Sequence, residues 1–217
     1  MLMKKLPPQL PLYRFIGFGR FMKQVSGTRL INMAGFMGTG KTLFSVALGF
    51  HMVRYNYVTR ASFNLPISFG KAPHWYRSYN VLDEAGVLFE NRNYRDKELN
   101  EMSKAVLYAL RKNGSYIVTP SYLDTDKRFR KGALRMYRVF PLPNQNAPIW
   151  LFRWEVGPEE IEERNVTNFK KGYLAFIRPA WFYNTYCTYY APNVQLSRQF
   201  VTKCIKNEDL DEYFATQ

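Results

Sequence analysis

A chain of 217 residues with 31 Lys and Arg against 17 Asp and Glu, a formal net charge of +14, is long enough for one well-buried domain and too short for two of full size. With 47% hydrophobic, 17% aromatic and 22% charged residues, its composition is that of a globular protein and excludes a disordered one. Cys187 and Cys204 stand far apart from each other and from His51 and His74, which argues against a zinc site or a disulfide framework and fits a reducing compartment.

Residues 1–28 read as an N-terminal arm. In MLMKKLPPQLPLYRFIGFGRF, bases precede an apolar stretch, but Pro7, Pro8 and Pro11 break the helix that a signal peptide needs. Phe15, Ile16, Phe18, Phe21 and Met22, interleaved with Arg14, Arg20 and Lys23, are expected to pack on a neighbouring subunit, with a lipid surface as the other option. RLINMAGF, Arg29 to Phe36, is an apolar run entering a glycine-rich loop, the pattern of a buried parallel strand. TLFSVALGFHMVRY, Thr42 to Tyr55, carries apolar residues at helical spacing, so strand, loop and helix form the first unit of an α/β fold.

VTRASFNLPISF, Val58 to Phe69, is rich in β-branched and aromatic residues and predicts a second extended segment, stopped by Gly70 and Pro73. SYNVLDEAG predicts a strand that ends in two acids. DKELNEMSKAVLYALRKNG, Asp96 to Gly114, predicts a helix with acids in its first turns, bases in its last, and Gly114 as the C-terminal cap. SYIVTPSY, Ser115 to Tyr122, predicts a further strand, buried on both faces. LRMYRVF and IWLFRWEV alternate as the arms of a hairpin across the turn-rich PLPNQNAP. PEEIEERN, Pro158 to Asn165, predicts a short acidic helix, and the aromatic remainder shows no periodicity. No run approaches the roughly 20 apolar residues of a membrane span. The expected organisation is an arm over 1–28, an α/β core over 29–157, and a C-terminal extension over 158–217 packed on that core.

The chemistry is carried by GFMGTGKT, the loop of Gly35, Phe36, Met37, Gly38, Thr39, Gly40, Lys41 and Thr42, which meets the pattern G-x-x-x-x-G-K-[ST]. Glycines let backbone N–H groups turn inward around phosphates. Lys41 is expected to reach the β and γ phosphates of ATP, and the Thr42 hydroxyl to take a place on Mg²⁺. The helix beginning there adds the positive end of its dipole. Asp83, at the end of a neighbouring strand, is expected to hold Mg²⁺ through water, and Glu84 to polarise the water that attacks the γ phosphate. A metabolite kinase must exclude water, so the Asp83–Glu84 pair favours hydrolysis. In motors built on such a loop, a polar residue at the tip of the next strand senses the γ phosphate, a role open to Thr119 or Ser121. An arginine supplied by the neighbouring subunit completes the site, with Arg111, Arg128 and Arg130 as the candidates.

GFMGTGKT, SFNLPI, VLDEAGVLF, ALRKNGSYIVTPSYLDTDKRFR and, more loosely, FYNTY occur in an order and spacing that resembles the FtsK/HerA superfamily of P-loop ATPases, including Zot-like phage proteins and viral genome-packaging ATPases. The resemblance covers roughly residues 30–190. It implies a RecA-like (ASCE) P-loop NTPase core with a mostly parallel sheet flanked by helices. It also implies a homo-oligomeric ring around DNA, with ATP hydrolysis coupled to translocation. The sequence departs from the pattern at Pro120, near the place of a frequent glutamine, and at Asn80, which interrupts the apolar run before the acids. Filamentous-phage Zot-like proteins continue into a membrane span and an outer domain. Finding neither shifts the expectation to a compact packaging ATPase, in the host cytoplasm during assembly or associated with the virion, at a capsid vertex or a membrane.

The charge distribution agrees with a polyanionic partner. No acid precedes Asp83, whereas the same stretch carries eleven Lys and Arg. Lys104, Lys112, Lys127 and Lys131, in a second basic block, are candidates for salt-dependent contacts to a DNA backbone without base readout. The alternatives are a Zot-like extrusion ATPase and an ATP-dependent assembly factor that translocates nothing.

Overall fold

The computed structural model describes residues 13–36, 38–65, 68–70, 77–83, 114–121, 133–140, 147–156, 171–183, 185 and 199. In chain order the elements are β1 (Arg14–Ile16), α1 (Phe18–Thr28), β2 (Leu30–Ala34), α2 (Lys41–Arg54), β3 (Arg60–Phe63), β4 (Ser68–Gly70), β5 (Ser78–Val81), β6 (Tyr116–Ser121), β7 (Leu134–Phe140), β8 (Ile149–Val156) and β9 (Lys171–Ile177), followed by a 3-10 turn at Pro179–Phe182. The nine strands form one sheet in the order β1-β9-β8-β7-β2-β6-β5-β3-β4.

The five central strands, β7-β2-β6-β5-β3, run parallel. Antiparallel β8, β9 and β1 extend one side and antiparallel β4 the other. The sheet is thus mixed α/β, with a parallel centre as expected and antiparallel strands added at both sides. For β3–β4 and β7–β8 the cause is local, because successive extended segments joined by short connections pair as hairpins, whereas parallel neighbours require a long crossover. VTRASFNLPISF shows the effect: it is two strands, β3 and β4, that fold back on each other with Ala61 opposite Phe69.

The central strands read as near-continuous apolar runs because both of their faces are covered. Two departures from that pattern are accommodated. Asn80 is buried, and its amide donates to Ser78 Oγ at 2.8 Å and to the Tyr116 carbonyl at 3.5 Å. Pro120 lies in a central strand, where a missing N–H normally breaks a ladder. The Val118 carbonyl accepts from Leu82 N–H at 2.9 Å, so that residue faces β5, and two-residue alternation turns Pro120 the same way. The β5–β6 register ends at Val81 opposite Val118, so Pro120 lies beyond the last paired residues of that ladder.

Two boundaries differ from the sequence reading. From Tyr13 onward the expected arm belongs to the fold: β1 pairs with β9, and Phe15, Phe18, Phe21, Met22 and Val25 are buried in the chain's own core. Positions 18, 21, 22 and 25 follow the helical spacing i, i+3, i+4, i+7, a legible signal that the interleaved bases obscure. Of the arm's described apolar residues, Ile16 stays half exposed. Likewise the boundary after 157 falls inside the sheet, because β9 pairs along β8 from Ile149 opposite Ile177 to Glu155 opposite Lys171. Gly172, Leu174 and Phe176 of β9 turn one face inward by strand alternation.

That inward face and α2 enclose an aromatic core. α2 is apolar nearly all round and buried from Leu43 to Gly49. Phe44 meets Phe152 at 3.9 Å between ring centroids, and Phe15 stacks on Phe176 at 4.8 Å. His51 lies among Phe18, Tyr55 and Phe15 with ring centroids 4.5, 4.5 and 4.9 Å away. Burial, with a smaller contribution from Arg54, lowers its pKa to about 4. The unfolded chain therefore takes the proton first, so the stabilising contribution is complete above about pH 6.5 and is lost as pH falls toward 4. After discounting for partial exposure, we expect about 1–2 kcal/mol to disappear over that interval. Urea unfolding at pH 7.5 and pH 5 should show this loss in the wild type and a smaller one in His51→Phe; equal losses would assign the acid sensitivity to other groups.

The expected helices over 96–114 and 158–165 lie outside the described residues. No helix among the described residues is long and apolar enough to cross a membrane.

Candidate functional site

The site forms at the C-terminal end of β2, where the chain leaves the sheet, turns through Gly35–Gly40 and enters α2 at Lys41. Gly35, Gly38 and Gly40 have φ of 140°, 74° and 82°, values that a residue with a side chain rarely adopts. Helix α2 carries no acid in its first turn, so the positive end of its dipole is not neutralised there. Lys41 is buried, and its ammonium donates at 2.8 Å to the carbonyls of both Gly35 and Phe36, closing the loop on itself. Phe36 itself stands 78% exposed on the outside of this turn.

Thr42, the next residue of α2, donates from Oγ1 to Asp83 Oδ1 at 2.9 Å. Asp83 follows β5, which is separated from β2 by β6, so the sheet brings together two residues that lie 41 apart in sequence. A hydroxyl and a carboxylate meeting at a helix N-terminus form an all-oxygen donor pair. Such a pair suits Mg²⁺, which takes one or two protein oxygens and completes its shell with water and phosphate. The residues present thus fit both a nucleotide phosphate chain and its metal.

Asp83 is held by a residue to which the sequence reading gave no role. Asn64, just past β3, donates from Nδ2 to the Asp83 carbonyl at 2.9 Å and accepts the Asp83 N–H on Oδ1 at 2.8 Å. Its own N–H donates to the Val81 carbonyl at 3.1 Å. This two-way clamp fixes the backbone at the strand end, and with it the direction of the carboxylate. Asn64 is the asparagine of SFNLPI, where a buried amide at the end of an apolar strand is the available sequence signal.

Thr119 and Ser121, the two candidate sensors, occupy different positions. Thr119 is fully buried, accepts from Asn32 Nδ2 at 3.2 Å and is 3.5 Å from the Ile31 carbonyl it donates to, so its hydroxyl is engaged by β2 inside the sheet. Ser121 ends β6 opposite Ala34, one residue before the loop begins. Met37, Glu84, Arg111, Arg128 and Arg130 lie outside the described residues, as do Lys104, Lys112, Lys127 and Lys131.

An arginine that sequence reasoning left unassigned does reach the loop. Arg138 of β7 donates from Nη1 to the Thr39 carbonyl at 3.2 Å, and its guanidinium carbon lies 4.1 Å from the Trp150 ring centroid. Burial lowers the Arg138 pKa, with the nearby Tyr183 acting in the opposite direction. Trp150, on β8, packs against Gly40 so closely that a Cβ there would come within 2.4 Å of the indole.

No family model and no curated protein sequence matches the chain. Among solved structures, the N-terminal domain of zonular occludens toxin from Neisseria meningitidis aligns with a TM-score of 0.40 at 14% identity, over 66% of this chain and 92% of that one.

Proposed function

We propose that this protein is a RecA-like P-loop ATPase that hydrolyses Mg²⁺-bound ATP and uses the energy to move DNA, as a viral genome-packaging ATPase acting in an oligomeric ring. The observation that carries the ATPase reading is the 2.9 Å contact of Thr42 with Asp83 across an intervening strand, beside a lysine already folded into a glycine loop. Bound Mg²⁺ would neutralise charge developing on the phosphates. Asp83 and Thr42 orient that ion, and the Gly35–Thr42 backbone with Lys41 binds the phosphate chain. Glu84, next in sequence to Asp83, is the proposed base for the attacking water. Ser121 is the better placed of the two sensor candidates, because the Thr119 hydroxyl is already engaged within the sheet. The trans arginine is sought among Arg111, Arg128 and Arg130.

DNA as the cargo is supported by the +14 charge and by the acid-free stretch before Asp83. Glu84→Gln is expected to bind ATP, accumulate as an assembled species and lose turnover by 10²-fold or more. ATPase rates measured with single-stranded and duplex DNA at two salt concentrations, alongside the mass of the assembly, test the coupling. An ATPase that ignores DNA at both salts removes translocation. Wild-type protein with no ATPase at concentrations that permit assembly removes the enzyme reading, and unchanged function in Glu84→Gln favours an ATP-binding assembly factor.

A further inference from the structure

We propose that Arg138 is a positioning residue of the phosphate loop, fixing the peptide between Thr39 and Gly40 so that its N–H is already turned for phosphate before nucleotide arrives. The proposal rests on the loop's reading as a nucleotide site. Along β7, Leu134, Met136 and Arg138 share one face, with Leu134 and Met136 buried and Arg138 opposite Phe152, which meets Phe44 of α2. A guanidinium thus occupies a position where alternation calls for an apolar side chain. Even partial burial there is costly unless its donors and its charge are used.

Two contacts use them, and a third joins the Trp150 partner to the loop. Nη1 holds the Thr39 carbonyl at 3.2 Å, the guanidinium covers Trp150 at 4.1 Å, and the Trp150 ring fills the space beside Gly40. A peptide unit is planar and trans, so its carbonyl and its N–H point in opposite directions. Holding the Thr39 carbonyl toward the hairpin therefore turns the Gly40 N–H away from it. The Trp150 ring excludes any side chain at Gly40 and limits how far that peptide can rotate. A donor held in this way needs no reorganisation when an anion binds, which is the source of its affinity. The cation also lies beside the loop that receives the negative charge.

Full-length wild type, Arg138→Met and Arg138→Lys are compared by calorimetric titration with ATP and Mg²⁺ and by steady-state ATPase, each variant first checked for folding by circular dichroism. The Kd of Arg138→Met is expected to rise about tenfold, as for loss of a charge-assisted hydrogen bond, with KM rising more than kcat falls. Arg138→Lys keeps the charge without the planar fork and should fall between. ATP affinity equal to wild type in Arg138→Lys, or in Arg138→Met where that variant folds, overturns the proposal. A wild-type chain that binds no ATP instead overturns the nucleotide reading of the loop itself.

Discussion

Lys41→Met is expected to fold as the wild type does and to lose every response to ATP. In wild-type protein, ATP with Mg²⁺ at about a hundred times its Kd adds about 2.7 kcal/mol of stability, which raises the Tm of a domain this size by roughly 5–10 °C. The variant should show no such rise, and ATP turnover should drop by at least 10²-fold. Folding is expected to survive because of what Lys41 bonds. Among the described residues its partners include the carbonyls of Gly35 and Phe36, two exposed loop residues whose carbonyls water can satisfy when the ammonium is gone. Methionine refills the buried stem with little change in volume. A differential scanning fluorimetry shift equal to wild type would show that ATP binds elsewhere or that the loop binds it without this lysine.

Asn64→Ala is expected to damage both the fold and the site. It leaves the buried N–H and carbonyl of Asp83 without their side-chain partners, which costs about 2–4 kcal/mol in all. It also frees the strand end that aims the carboxylate at Thr42. The loss in Mg²⁺-dependent ATP binding should therefore exceed what reduced stability explains, and should persist at low temperature, where the variant is folded. Asn64→Asp separates the two effects. It retains an acceptor for the Asp83 N–H but places a second carboxylate beside Asp83 and loses the donor to its carbonyl. Its unfolding free energy should be no better than that of Asn64→Ala, with a Mg²⁺ requirement shifted to higher concentration. Urea unfolding and Mg²⁺ titrations of ATP binding on the same samples check this, and an Asn64→Ala protein with normal stability would remove the clamp from the account.

The parts of this fold that rest on local pattern were legible in the sequence. LINMA entering a glycine loop became β2, the apolar run after it became α2, and YIVTPS became a buried strand. The hairpin of LRMYRVF and IWLFRWEV formed as its alternation requires. What failed was assignment of company. Residues 18–28 carry the spacing of a helix that buries one face, yet nothing local says whether that face meets a partner or the same chain. β9 escaped notice because its inward residues, Gly172, Leu174 and Phe176, open on a glycine and alternate with Tyr173 and Ala175 rather than with charged residues, and Gly172 is needed where the Trp154 ring crosses it.

The same division holds at the site. The residue types of the phosphate loop are dictated by backbone geometry and by one cation, both local matters, so the eight residues from Gly35 to Thr42 declare themselves in sequence. Asp83 was identifiable as an acid at a strand end, and its contact with Thr42 was not. Strand order decides that contact: β6 must enter between β2 and β5, and long-range pairing of that kind leaves no periodic mark on the chain. The clamp by Asn64, the withdrawal of Thr119 into the sheet, and the reach of Arg138 to Thr39 were likewise decided in three dimensions. Each joins side chains on different strands, and a hydrogen bond depends on distances that the sheet sets after its strands have paired.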